Sequence, residues 1–398
     1  MNIPFIDLKA QYSLIHNQIT EAMDKVMQHG AYVMGPEIRQ LEDRLAEFCG
    51  QKHALACSSG TDALILALLA LDIKPGDAVL TSPFTFFATA EAIAFLGAVP
   101  VFVDIDPATF NINPAELSKT LNALHNSENS NYPLPKPGSR SGLGHATPGK
   151  LSAKAIISVD LFGLPCEYDQ IIKIAEHENV KLIVDAAQSF GARYKGKSTC
   201  ALGNAACTSF FPAKPLGCYG DGGMCFTDSD DIYELLQSYR VHGQGRDRYD
   251  NTRLGMNARM DTIQAAILMS KMDIFPQELI MRESVAARYN ALFADSGNTV
   301  TTPAVFEHAS SAWAQYSLLA RDQEHREIIF KSLKHKNIPW AVYYPVPLHL
   351  QQAFSYLGYQ PGDFPVSEEM SQRIFSLPMH PYLSSDVQQI IAHAVLSA

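Results

Sequence analysis

The sequence predicts an α/β fold: a mostly parallel sheet flanked by helices, followed by a smaller α+β domain. Three observations carry this expectation. From about residue 50 onward, short apolar runs alternate with helical patterns, the rhythm of strand–helix–strand units. The runs are apolar throughout, as strands covered on both faces are. After Arg259 the pattern changes to long helices and short mixed elements. This divides the chain into a large domain at 1–255 and a small C-terminal domain at 256–398.

In order, His53–Cys57 reads as a strand, followed by a nearly all-apolar helix over Thr61–Leu71. Ala78–Thr81 is a strand, Ala88–Leu96 a helix and Val99–Asp104 a strand. Ala155–Asp160 and Lys181–Asp185 are strands joined by a helix over Tyr168–Glu178. Ala205–Phe211 and Gly222–Thr227 are too close in sequence for a parallel crossover, so they pair antiparallel. Asp261–Asp295 forms one or two helices, with a kink at Pro276. The C-terminal part adds strands at Tyr316–Ala320 and Trp340–Tyr344 and helices at Glu324–Lys336 and Ser367–Phe375. Residues 125–153, polar and rich in Pro, Gly and Ser, read as a loop or a disordered insertion outside the core.

Composition sets bounds. With 398 residues, 47% of them hydrophobic, the chain can bury a large core and more than one domain. A net charge of -10 excludes a surface built to neutralise nucleic-acid phosphates. One helix N-terminus can still hold a single phosphate group. The seven cysteines are odd in number and include no C-x-x-C pair. That excludes a disulfide framework or zinc site and points to reduced thiols in a cytoplasmic protein. The N-terminus lacks the basic and apolar regions of a signal peptide. The longest apolar stretch, Ala63–Ile73, is too short to span a bilayer and contains Asp72, so no membrane partner is expected.

Five motifs carry chemistry. Ser58-Ser59-Gly60-Thr61-Asp62 lies between a strand and an apolar helix. Unpaired amides and the helix dipole favour an anion there, and Gly60 admits close approach. The same residues would also serve as an ordinary helix cap. Phe84-Thr85-Phe86-Phe87 follows the next strand, where an aromatic can stack on a flat ring or simply pack in the core. Asp185-Ala186-Ala187-Gln188 ends a buried strand. A carboxylate there suits either a protonated pyridine nitrogen or a helix cap. Lys214 lies in Phe210-Phe211-Pro212-Ala213-Lys214-Pro215-Leu216-Gly217, among aromatics and prolines. Lost hydration lowers the pKa of such an amine and makes it nucleophilic. Asn257 and Arg259, at the domain junction, can reach a phosphate or carboxylate.

In this order the motifs resemble the DegT/DnrJ/StrS sugar aminotransferases, and the resemblance runs from Phe5-Ile6-Asp7-Leu8 to Leu377-Pro378-Met379-His380-Pro381. Only the 125–153 insertion stands outside it. The resemblance implies the fold of type I pyridoxal 5'-phosphate (PLP) enzymes. It implies that Lys214 binds PLP covalently, Asp185 pairs with the pyridine nitrogen, Gln188 with the ring oxygen, and Phe86 stacks on the ring. Gly60, Thr61 and Ser209 would hold the cofactor phosphate, with Asn257 reaching it from the other subunit of a homodimer with shared active sites. The implied activity moves the amino group of L-glutamate to a nucleotide-linked keto sugar, in a route such as surface polysaccharide assembly.

The stretch around Lys214 and Val342-Tyr343-Tyr344-Pro345 is similar to enzymes that aminate C3 of a UDP-linked 2-acetamido-3-keto-hexuronic acid. In those an Arg, a His and a Tyr read the uronate. Here Arg259 and Tyr344 match, and Tyr343 stands in place of the His. A dTDP-linked 3-keto-6-deoxyhexose is the alternative substrate. A non-catalytic regulatory role is the alternative class. Relatives that act as dehydratases replace the lysine with His, which Lys214 argues against.

Overall fold

The structure, a computed structural model, describes residues 3–126, 132–247, 249–294 and 299–398. Two helices lead in, α1 (Leu8–His29) and α2 (Pro36–Cys49). Then β1 (His53–Cys57), α3 (Gly60–Ala70), β2 (Ala78–Thr81), α4 (Phe87–Phe95), β3 (Val99–Phe102) and α5 (Pro114–His125) follow. After the insertion come β4 (Ala153–Val159), α6 (Tyr168–Glu178) and β5 (Lys181–Asp185). A small hairpin, β6 (Arg193–Tyr194) and β7 (Lys197–Ser198), precedes β8 (Ala205–Ser209), β9 (Gly223–Thr227) and α7 (Asp230–Arg240).

The central sheet has seven strands in the order β1-β9-β8-β5-β4-β2-β3. β2, β3, β4, β5 and β8 pair in parallel, while β9 runs antiparallel between β8 and β1. The antiparallel step is the one the short β8–β9 connection requires. One core lies on each face of the sheet. α3 is buried nearly all round, which is why its sequence carries no polar stripe.

Beyond the sheet, α8 (Thr262–Met272) and α9 (Phe275–Phe293) are separate helices. Pro276 opens the second one instead of kinking a single one, since its missing N–H costs nothing at a helix start. β10 (Val300–Thr301), β11 (Ala309–Ser310), β12 (Tyr316–Ala320), α10 (Gln323–His335), α11 (Pro365–Arg373), β13 (Ile374–Leu377) and α12 (Ser385–Leu396) complete the chain. β10, β12 and β13 form an antiparallel sheet. Buried residues of α8 (Ala265, Leu268, Met272) join the large core, whereas Val285, Ala286, Tyr289 and Phe293 of α9 join the second core. α9 thus contributes to both cores, Phe275 at its start to the large one and the later residues to the second.

Two C-terminal expectations are corrected. Trp340–Tyr344 is not a strand. Only Ala341 bridges, to Ser376, because the following residues turn away to line a cavity. The helix expected over Ser367–Phe375 ends at Arg373, and Ile374 and Phe375 open β13, where pairing with β12 buries both. The insertion is a loop as expected, apart from 127–131, which lie outside the described residues. It is anchored, though: the Lys136 N–H donates to the Leu357 carbonyl at 2.8 Å, and Thr147 is buried. It leads into the N-terminal end of β4, opposite the strand ends that build the site described next.

Candidate active site

The C-terminal ends of β1, β2, β5 and β8 open into one cavity of about 480 Å³. In parallel sheets this is the edge where ligands bind. Gly60, Thr61, Phe86, Asp185, Gln188, Ser209, Lys214, Tyr343 and Tyr344 all line it. Nine residues expected from separate stretches of sequence are therefore brought together. Asn257 and Arg259 are not among the lining residues. Ala258 between them is buried and its carbonyl accepts from the Ser58 N–H at 3.1 Å. Asn257 itself is exposed and accepts from Arg259 Nε at 2.8 Å.

At one end of the cavity, α3 presents its N-terminus. Ser59 is the cap, its hydroxyl accepting from the Asp62 N–H at 3.0 Å. Two close approaches shape this cradle. A Cβ on Gly60 would lie 2.7 Å from Ser209 Cβ, and one on Gly223 would lie 2.2 Å from the Ser59 carbonyl oxygen. Glycine is needed at both because the chains cross with no room for a side chain.

At the other end sits Asp185, 6% exposed. No helix follows β5, so its carboxylate is not a helix cap. Oδ2 accepts from Thr89 Oγ1 at 2.9 Å and Oδ1 from the Ala187 N–H at 3.1 Å. Burial pushes the Asp185 carboxyl up, and the Ala187 N–H, the Thr89 hydroxyl and the Lys214 ammonium pull it partly back. Gln188 is oriented by two contacts. Its Oε1 accepts from the Phe162 N–H at 2.8 Å and its Nε2 donates to Tyr344 Oη at 3.2 Å. That leaves its second amide hydrogen for the cavity.

Lys214 keeps some accessible surface, and its amine faces the cavity rather than bulk solvent. Burial lowers its pKa, and the charge of Asp185 raises it in part. The loop is held at both ends: the Phe210 N–H donates to the Gly222 carbonyl at 2.7 Å and the Cys218 N–H to the Phe210 carbonyl at 2.8 Å. Lys271, fully buried on α8, donates to the Gly217 carbonyl at 2.7 Å. Phe86 is 56% exposed, whereas Phe84 is 1% exposed. Of the two aromatics, Phe86 is therefore the one free to meet a ring.

Sequence reasoning missed several residues here. Thr89 holds Asp185, and Thr85 Oγ1 and Gln315 Oε1 are buried without a hydrogen-bond partner among the described residues. Asp160, at the end of β4, is also unforeseen. It accepts from the Tyr168 and Ser189 hydroxyls at 2.7 Å each and from the Cys166 N–H at 2.9 Å, fixing the turn that carries Gln188. Nothing in the local sequence separates these from ordinary core residues.

Burial raises the Asp160 carboxyl to about 6, from an ordinary 3.8. The folded state then binds its proton more readily than the unfolded state between these values. The stability this contributes is therefore lost as pH rises from the unfolded value through the folded one, and changes little above it. We expect the stability of the wild type, relative to Asp160→Asn, to fall by about 2–3 kcal/mol as pH rises from about 4 to about 7. Thermal melts of both proteins across that range check it. A constant difference would mean that the Asp160 carboxyl titrates no higher in the folded state than in the unfolded one.

Comparison with known proteins adds the following. The pattern of the DegT/DnrJ/EryC1/StrS aminotransferase family matches residues 13–396. The UDP-2-acetamido-2-deoxy-3-oxo-D-glucuronate aminotransferase of Pseudomonas aeruginosa is 42% identical, over 99% of each chain. A pleiotropic regulatory protein of Geobacillus stearothermophilus is 38% identical, over 99% of this chain and 98% of that one. The crystal structure of a DegT DnrJ EryC1 StrS aminotransferase from Brucella abortus superposes with a TM-score of 0.89 at 42% identity, covering 99% of this chain and 98% of that one. The structure of ntda from Bacillus subtilis with bound cofactor PMP superposes at 0.84 with 25% identity, covering 100% of this chain and 86% of that one.

Proposed function

Since this chain belongs to the DegT/DnrJ/EryC1/StrS aminotransferase family, we propose that it moves the amino group of L-glutamate to C3 of UDP-2-acetamido-2-deoxy-3-keto-glucuronic acid. The observation that carries this substrate is the 42% identity, end to end, with an aminotransferase named for that sugar.

The residues fit pyridoxal 5'-phosphate. A buried carboxylate, an enclosed amine and a helix N-terminus whose cradle excludes a Cβ line one cavity, with an exposed aromatic beside them. Gly60, Thr61 and Ser209 would hold its phosphate, Asp185 its ring nitrogen, Gln188 its ring oxygen and Phe86 its face, with Lys214 as the covalent anchor. When bound, PLP supplies a ring that takes up the electron pair released at the substrate carbon. The chain's own part is positioning and proton transfer. Lys214 Nζ takes the proton from the amino-acid carbon and returns one to the sugar carbon in the reverse sense. Asp185 keeps the ring nitrogen protonated, and the turn held by Asp160 keeps Gln188 in place.

Asn257 and Arg259 do not line their own cavity, yet Asn257 is exposed. We place Asn257 of the partner subunit at this phosphate, in a homodimer with shared sites. Exposed Tyr12, Met27, Tyr32 and Leu254 supply apolar surface for such a contact. No helix among the described residues is long and apolar enough to cross a membrane. Seven buried free cysteines suit a cytoplasmic location.

Tyr343 lines the cavity where the sequence resemblance expects the His that reads a uronate, so a dTDP-linked 3-keto-6-deoxyhexose, which has no carboxylate to read, is the alternative. One experiment decides. We expect glutamate to bleach the absorbance of the bound cofactor and the UDP-linked keto-uronate to restore it. Restoration by the dTDP sugar alone would transfer the assignment to the second substrate. Bleaching by glutamate without restoration by either would remove both.

A further inference from the structure

Resting on the reading that the substrate is a 2-acetamido sugar, we propose that Gln315 determines specificity by reading the acetamido group. Gln315 lines the cavity together with Phe5, Ile6, Tyr343 and Tyr344, on a wall to which no cofactor contact is assigned. Its Oε1 is buried and has no hydrogen-bond partner among the described residues. A buried carbonyl oxygen left in this state is costly, and on a residue that lines a ligand cavity it is open to a donor that a ligand brings. Neither a carboxylate nor a keto oxygen can supply that donor. An amide N–H or a hydroxyl can.

The backbone around Gln315 is fixed. The Ala314 N–H donates to the Phe162 carbonyl at 3.0 Å, and Tyr316 begins the paired strand β12. Phe162 also donates its own N–H to Gln188 Oε1. One residue, Phe162, thus ties the side-chain amide of Gln188 to the wall that carries Gln315. Positions referenced to each other in this way suit a sugar whose reacting carbon must lie beside the ring.

One feature favours an acetamido group over a hydroxyl. Gln315 also lines a second hollow of about 20 Å³, where Leu161, Phe162, Val305 and Trp313 stand beside Thr109, Ser311 and Ser317. That volume admits one group the size of a water or methyl.

The test is calorimetric titration of the cofactor-loaded enzyme with UDP-N-acetylglucosamine and UDP-glucose, which differ at this position and carry no keto group to react. The wild type should prefer the acetamido sugar. Gln315→Met, similar in size but unable to hydrogen-bond, should raise the Kd for UDP-N-acetylglucosamine about tenfold and leave that for UDP-glucose within about twofold. Gln315→Glu keeps an acceptor and should lose less of the preference. Retained cofactor absorbance and melting temperature show that each variant is folded. A preference unchanged in folded Gln315→Met overturns the role of Gln315 while leaving the substrate reading intact. A wild type with no preference overturns the substrate reading itself, and this inference with it.

Discussion

Substituting alanine for Lys214 should slow amino transfer by at least about 10²–10⁴-fold, the range that positioned proton transfer contributes. The expectation follows from the setting of the amine. Lys214 is the one cation among the described residues lining the cavity. Burial holds its pKa below the ordinary lysine value of 10.5, so a larger fraction is neutral and able to accept a proton. Its loop is fixed by the Phe210–Gly222 contact and by Lys271 on the Gly217 carbonyl. No neighbouring amine can take its place, because Lys271 is turned to Gly217 and Tyr219. Single-turnover absorbance with glutamate measures the rate. Partial rescue by a small added amine would tie the loss to the missing Nζ, since a collapsed cavity would not respond. Transfer at more than about a tenth of the wild-type rate would remove Lys214 from the chemistry.

The second large effect is expected at Asp185. Asparagine there keeps the shape and can still accept from Thr89 or the Ala187 N–H, but it carries no negative charge. Without that charge the ring nitrogen loses the carboxylate proposed to hold its proton. The rate should fall by about 10²–10³-fold, as when one preorganised electrostatic contact is lost. Cofactor affinity should fall less, because the cradle proposed for the phosphate at Gly60 and Ser209 is untouched. Thr89→Val is the graded control. It removes one hydrogen bond to the carboxylate and should cost about tenfold at most. Stopped-flow rates and cofactor titration for the two variants separate the effects. Equal losses in both would mean that Asp185 acts only as a packing residue.

Much of this was legible in the sequence, for a physical reason. Strands buried on both faces must be apolar throughout, so β1, β2, β4 and β5 announced themselves. A short connection cannot form a parallel crossover, so the antiparallel placement of β9 could be read before any coordinates. Lysine among prolines and aromatics, and aspartate ending a buried strand, are costly placements that a chain does not carry without use. Local chemistry alone singled out Lys214; at Asp185 and Gly60 it left an ordinary helix cap open, and the order of the five motifs, with the family they resemble, pointed to the cofactor reading.

What only the tertiary structure decided depends on contacts between residues far apart in the chain. Tyr343 and Tyr344 looked like a strand because aromatics favour strands. The cavity, and the pairing of Ser376 with Ala341 alone, left them irregular. Ile374 and Phe375 continued a helical pattern until pairing with β12 made them a strand. Thr89 reaches Asp185 across 96 positions, and Gln188 reaches Tyr344 across 156. Threonine and glutamine have no local signature for such roles, since their hydroxyl and amide groups gain meaning only from the partner that folding supplies. The sequence by itself therefore determined which groups were too costly to be idle. The fold decided which of them meet, because a hydrogen bond is settled by distances of a few ångströms that sequence separation does not encode.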